Sequence, residues 1–278
     1  MNVQRVAAFS NGAEGGNPAG VVLGKEALDE ASMRKIAAEV GYSETAFAYP
    51  INEDKSAWRV RYFSPESEVP FCGHATIALG AALGEEAGPG EYQLTINDAQ
   101  ISVTTEKTSS GITATLTSPP TNSRNVTEQE LTEVLALFSL TTTDLSETLS
   151  PAFIHGGSNH IVLALNDRST LANIDYSLQA GKLLMDKLGL VTVMLVYIEN
   201  PQEFIVRNAF ASGGVLEDPA TGAAAAAFAG YLRDIDWPHG GKFTIRQGED
   251  MGAPSIIHVS LSDEKGSPVS VSGTARNL

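Results

Sequence analysis

Cysteine occurs once in 278 residues, at Cys72, which excludes an intrachain disulfide and any site built from several thiolates. Basic residues are scarce as well. Lys and Arg number 18 against 33 Asp and Glu, for a net charge of −15. Nucleic acid and anionic membrane surfaces both require clustered cations, and no cluster of Lys or Arg occurs, so neither is expected as a partner. Long apolar runs are missing too. The longest, around 191–198 and 223–229, are far too short to span a bilayer. The opening MNVQRVAAFSNGAEGG lacks the apolar core of a secretory signal. A cytoplasmic protein is expected. Neither GxxxxGK[ST] nor GxSxG is present, and GAEGGNPAG is glycine-rich but lacks the spacing of a dinucleotide loop and reads as a mobile loop.

What is there is a globular composition, 42% hydrophobic and 18% charged, in a chain long enough for two domains with real cores. Short β patterns alternate with helical ones, and the order occurs twice. In the first half VAAFS, AGVVL, TAFAY and WRVRYF read as strands, 28–40 as a helix stopped by Gly41, and HATIALGAAL as a second helix. In the second half AFIHGG, HIVLAL, TVMLVYI and EFIVRNAF read as strands, 177–188 as a helix stopped by Gly189, and GAAAAAFAGYL as a helix. Individual residues repeat in the same order: Asn17 and Asn159, Gly41 and Gly189, Tyr49 and Tyr197, Glu68 and Glu217, Pro70 and Pro219, Gly73 and Gly222. The pattern predicts an internal duplication, with domains over 1–118 and 119–266. TSPPTNSRN, 117–125, reads as the linker, followed by the capping-box pattern Thr127 to Glu130. Periodicity leaves open whether the last residues, 267–278, return to the first domain as a strand.

HATIALGAAL and GAAAAAFAGYL have no charged face, so each is expected to be buried all round, with its small residues letting strands approach closely. The expected fold is α/β: two domains, each a mixed β-sheet or barrel wrapped around a central helix. The start of such a helix offers unpaired N–H groups and partial positive charge, and Gly73 and Gly222 leave room there for a small carboxylate.

The duplication acts as an internal control, because a polar residue present in only one half needs a reason other than the fold. Glu44 falls opposite Thr192, His74 opposite Ala223, and Asp218 opposite Val69. Each has a structural alternative: a solvated strand-end acid for Glu44, a helix cap for His74, a favourable helix-dipole charge for Asp218. Together, at matching ends of a duplicated scaffold, they read as a functional set. His155 and His160 lack helical ligand spacing and read as structural, so no metal is expected. Cys72 reads as a small buried thiol, with a nucleophile as its alternative.

GNPAGVVL, GYSETAF, YFSPESEVPFCGHATIALG, EDPATGAAAAAF and QGEDMG together resemble the phenazine-biosynthesis (PhzF-like) isomerase family of the diaminopimelate epimerase-like superfamily, over essentially the whole chain. The resemblance implies the two-domain epimerase-like fold with the active site between the domains, no cofactor, and a homodimer. It implies isomerisation of a small unsaturated or amino-bearing carboxylate, with trans-2,3-dihydro-3-hydroxyanthranilate as the family's characterised substrate. SETAF then gives Glu44 as general acid/base, and CGHAT and DPATG give His74 and Asp218 as its catalytic partners. Asn17, Ser43, Gly73, Thr221, Gly222 and Ala223 become the substrate-binding candidates. Ala223 stands where the family carries a hydroxyl residue, so one substrate hydrogen bond is expected to be absent. Two other functions fit these residues: an amino-acid epimerase or racemase using Glu44 and Asp218, and a carboxylate-binding protein without catalysis.

Overall fold

The computed structural model describes residues 2–97, 99–108 and 111–278. Its strands are β1 (Gln4–Ala8), β2 (Asn17–Leu23), β3 (Thr45–Pro50), β4 (Ala57–Phe63), β5 (Glu68–Val69), β6 (Gly90–Thr95), β7 (Gln100–Thr108), β8 (Gly111–Thr117), β9 (Asn122–Asn125), β10 (Ala152–His155), β11 (Asn159–Leu165), β12 (Thr192–Asn200), β13 (Glu203–Ala209), β14 (Glu217–Asp218), β15 (Lys242–Gln247), β16 (Ser255–Ser260) and β17 (Ser270–Asn277). The helices are α1 (Glu30–Val40), α2 (Gly73–Ala87), α3 (Glu128–Leu137), α4 (Arg168–Ala172), α5 (Leu178–Leu188) and α6 (Gly222–Asp234). None of the helices is long and apolar enough to cross a membrane. The chain separates into two compact units, Met1–Thr117 with Ser272–Leu278, and Ser118–Val271.

In the first unit, β1 pairs antiparallel with β2, β2 parallel with β3, β3 antiparallel with β4, β4 parallel with β6, and β6 antiparallel with β7. β7 continues antiparallel to β8, and β17 pairs with both β8 and β1. Those eight strands close into a barrel, so none of them is left as an open edge. The second unit repeats the order of pairings: β10 with β11 antiparallel, β11 with β12 parallel, β12 with β13 antiparallel, β13 with β15 parallel and β15 with β16 antiparallel.

The central helices occupy matching places, each following a two-residue strand, β5 or β14, on the edge of β4 or β13. Twelve of fifteen residues are buried in α2 and eleven of thirteen in α6. Small residues allow this closeness. A methyl on Gly80 of α2 would come within 2.6 Å of the Val103 side chain, and one on Gly156 would come within 2.8 Å of the Ala227 backbone in α6. The outer helices follow ordinary amphipathic rules. α1 lays Met33 and Ala37 on Val22, Phe47 and Phe63, and α5 packs Met185 against a larger cluster with Leu163, Val193 and Leu195. Both stop at a glycine in left-handed conformation, Gly41 at φ 72° and Gly189 at φ 66°, where a side chain would be strained. The capping box at Thr127 and Glu130 opens α3.

One segment differs from the sequence expectation. Part of the stretch read as linker, Asn122–Asn125, is strand β9, paired antiparallel with β10. Its four polar residues carry no hydrophobic alternation, and what holds it is the backbone ladder together with Ser123 donating to Asp234 and Arg124 bound to Glu130 and lying over the Phe153 ring.

His160 is wholly buried on β11, with Ser158 Oγ 2.9 Å from one ring nitrogen and Thr192 Oγ1 2.7 Å from the other. Two hydroxyls, each able to donate or accept, suit a neutral ring. Burial, with the nearby His155 adding to it, pushes its pKa from 6.5 down to about 3. The unfolded chain therefore binds a proton that the folded chain refuses. Stability from this group is complete above the unfolded value and is lost as pH falls from 6.5 towards 3. Between about pH 7.5 and pH 5 the loss should be about 2 kcal/mol. Urea unfolding of wild type and His160→Gln across that range should show the variant with the flatter profile. Parallel profiles would mean that His160 does not set the slope.

Candidate active site

Glu44 ends the loop that leads from α1 into β3, and its backbone carbonyl accepts from the Gly20 N–H of β2 at 3.1 Å. His74 is the second residue of α2. The two meet: Glu44 Oε2 lies 3.4 Å from His74 Nε2, with both side chains at most one-tenth exposed. Glu44 Oε2 nevertheless makes no hydrogen bond with any described residue, so the closeness to His74 lacks hydrogen-bond alignment. Ser43 Oγ is 3.4 Å from the same ring nitrogen. Cys72, the residue before α2, places Sγ 3.4 Å from His74 Nδ1 and 3.9 Å from Nε2. Gly73 opens the helix between them. Asn17 is buried at the start of β2.

The start of α2 is held from below. Tyr62 of β4 is fully buried and its hydroxyl lies 2.6 Å from Thr76 Oγ1, which in turn donates to the Cys72 carbonyl at 2.7 Å. Burial drives the Tyr62 phenol well above its usual range, keeping it a neutral partner. The helix start has no side-chain cap, which leaves its first N–H groups directed to whatever occupies the space beyond.

In the second unit Asp218 is buried on β14, and Thr221 donates its hydroxyl to Asp218 Oδ2. Gly222 and the half-buried Ala223 begin α6, again without a side-chain cap. The sequence reading missed Gln247, buried at the end of β15. Its Nε2 donates to the Asp218 carbonyl at 2.7 Å and to Thr221 Oγ1 at 3.1 Å, while its Oε1 accepts from the Thr221 N–H at 3.2 Å. One side chain thus ties the Asp218–Thr221 turn to strand β15. Asn208 of β13 was missed as well. It stands opposite Asp218 in the ladder, is fully buried, and neither end of its amide has a hydrogen-bond partner among the described residues.

Strand register makes the comparison between halves exact in position. Tyr62 faces Val69 as Asn208 faces Asp218, and Phe63 faces Glu68 as Ala209 faces Glu217. Thr45 faces Phe63 as Val193 faces Ala209, so Thr192 is the counterpart of Glu44. Glu68 and Glu217, identical in both halves, are bound to Arg61 and Arg207. The repeated acids serve the scaffold; Glu44, His74, Asp218 and Asn208 have no equivalent. Gln247 belongs with them, because the corresponding place, one step past the Arg59–Thr95 pair, holds buried Ile96. It lies in QGEDMG, and that contrast was the signal available to find it.

A duplicated α/β scaffold with a buried central helix in each copy is the epimerase-like fold. Residues 6–278 match the family model described as phenazine biosynthesis-like protein. The chain belongs to that family and is an isomerase of it. It is 30% identical over 263 residues to an uncharacterized isomerase of Mesorhizobium japonicum, covering 90% of this chain and 87% of the relative. It is 29% identical to the uncharacterized isomerase YddE of Escherichia coli K12, covering 98% and 95%. Among solved structures, a phenazine biosynthesis protein of the PhzF family from Bacillus anthracis superposes with a TM-score of 0.86 at 20% identity, over 100% of this chain and 98% of that one. A probable proline racemase from Agrobacterium radiobacter shares the fold at a TM-score of 0.67 and 13% identity, over 99% and 90%.

Proposed function

We propose that this protein is a cofactor-independent isomerase that moves a proton within a small unsaturated or amino-bearing carboxylate. Glu44 removes a proton from carbon, the electron pair shifts along the conjugated system, and the same carboxyl group returns the proton to a different carbon. No net charge or redox change results, so acid/base groups suffice for the step. His74 stands by Glu44 to orient the substrate or to move a proton bound to a heteroatom. Asp218, fixed by Thr221 and Gln247, holds a polar group of the substrate. Backbone N–H groups around Gly73 and Gly222 take its carboxylate, and Asn17, Ser43 and Ala223 complete the set of candidate contacts. Ala223 brings no hydroxyl.

The observation that carries this reading is a buried carboxylate oxygen without a hydrogen-bond partner among the described residues, 3.4 Å from an imidazole at the start of a buried helix. Such an oxygen is costly to leave unpaired in a structural role and is available to a substrate proton.

The test is a panel of small unsaturated and amino-bearing carboxylates incubated with enzyme in deuterated water and followed by NMR. Isomerised product carrying carbon-bound deuterium is expected. Inversion of one stereocentre without a shifted double bond would replace the isomerase by an epimerase, and binding without exchange across the panel would remove catalysis from the account. The expected assembly is a cytoplasmic homodimer, which sedimentation of the purified protein checks.

A further inference from the structure

Glu44, Cys72 and His74 supply a carboxylate, a thiol and an imidazole whose ligand atoms all lie within 4.8 Å of one another. The proton chemistry proposed above uses Glu44 and His74 and gives Cys72 no part. A tetrahedral zinc site with oxygen, nitrogen and sulfur ligands has edges of about 3.3 to 3.6 Å, given metal–ligand bonds of about 2.0 to 2.3 Å. Here Glu44 Oε2 to His74 Nε2 is 3.4 Å and Cys72 Sγ to the same nitrogen is 3.9 Å. The ligand atoms of Glu44 and Cys72 lie within 4.8 Å of each other, and closing the set to a ligand sphere takes side-chain rotations that bring the sulfur, 3.4 Å from Nδ1, round towards Nε2.

A second observation points to an occupant. Glu44 Oε2, the oxygen that faces the ring, is buried and makes no hydrogen bond with any described residue. Carboxylate and imidazole sit close without the alignment of a direct bond, as two ligands of one ion would. The three residues keep 6 to 8% of their surface exposed, enough contact with solvent for an ion to enter. Charge is favourable too. A dication displaces the thiol proton on binding, and a thiolate with a carboxylate then balances it; the partial positive charge of roughly half a unit at the start of α2 is outweighed.

We infer that Glu44, Cys72 and His74 form a binding site for a thiophilic divalent cation of the zinc class, three protein ligands leaving the fourth position to water or to the nearby Ser43 hydroxyl. The site goes beyond the isomerase reading. Only its consequence rests on that reading: with the ion bound, Glu44 is a ligand and not a base, so the loaded protein is the resting form and chelation raises turnover.

The experiment uses the full chain, stripped with chelator, and needs no substrate. Cobalt(II) is titrated first, because a thiolate ligand gives it a sulfur-to-metal charge-transfer band, and zinc is then added in competition. One cobalt per chain with that band, displaced by zinc, is expected. Cys72→Ser should lose the band and weaken zinc binding by about a hundredfold or more, and Glu44→Gln should weaken it by about tenfold. Zinc should also slow alkylation of the wild-type protein by iodoacetamide, a reading made unambiguous because Cys72 is the one thiol. The alkylation measurement needs no variant and so stands even if a substitution disturbs folding. Absence of saturable zinc binding below about 100 µM, unchanged zinc affinity in Cys72→Ser, or alkylation indifferent to zinc would each overturn the site. None of these outcomes bears on deuterium incorporation by metal-free protein, so the two proposals fail separately.

Discussion

Glu44→Gln should lower isomerisation by a factor of at least ~10² while leaving ligand affinity within about tenfold. The amide keeps the size of the carboxyl group and much of its hydrogen bonding, but it cannot accept a proton from carbon. A group that acts only in proton transfer should show its loss in kcat and leave binding nearly intact. The measurement is the rate of deuterium incorporation from solvent into whichever carboxylate turns over, alongside its Kd from calorimetry. Backbone disturbance should be small, because the Glu44 link to β2 runs through its carbonyl and the Gly20 N–H, which the substitution leaves alone. Turnover near wild type would remove Glu44 as the shuttle and make Asp218 the next base to test. A loss confined to affinity would instead make Glu44 a binding group.

The central helices were legible in the sequence because a run such as GAAAAAFAGYL has no polar face and must be enclosed. The burial of eleven residues in α6 follows from that composition. Helix stops at Gly41 and Gly189 were legible for a local reason, the left-handed turn. Strand β9 was not, since NSRN has no alternation and depends on a partner about thirty residues away. Glu44 and His74 could be singled out by their missing counterparts in the other half. Their distance from each other could not, because it depends on how β3 and α2 are set in the barrel. Gln247 and Asn208 show the same limit. Each lies on a strand that also carries ordinary core residues, and only the register beside Asp218 reveals its contacts or its lack of them. Cys72 reads as a small hydrophobe until its sulfur is seen beside the His74 ring.

The repeated ion pair offers a stability experiment with its own control. Arg61 binds Glu68 through two nitrogens at 2.6 and 2.7 Å and reaches Glu30 at 3.2 Å, with a quarter of its side chain exposed. Arg207 binds Glu217 at 2.7 and 3.0 Å in the same ladder position, but it also donates to the carbonyls of Leu171, Ala172 and Ile174 at 2.9 to 3.2 Å. Its side chain is 16% exposed and that of Glu217 only 9%. Removing Arg207 therefore strands a buried carboxylate and takes a donor from three carbonyl oxygens, of which that of Leu171 keeps the Ile174 N–H at 3.3 Å, and the other oxygen of Glu217 already lacks a hydrogen-bond partner among the described residues. Arg207→Met should destabilise the protein by about 3 to 5 kcal/mol, the cost of an uncompensated buried charge. Arg61→Met, at the more exposed copy, should cost no more than about 1 to 2 kcal/mol. Combining Arg207→Met with Glu217→Gln should recover part of the loss, since most of the cost belongs to the orphaned charge and not to the missing attraction. Urea unfolding midpoints at constant slope measure all three. Equal losses at Arg61 and Arg207 would show that the three carbonyls and the deeper burial add nothing, and that both pairs act as surface bridges.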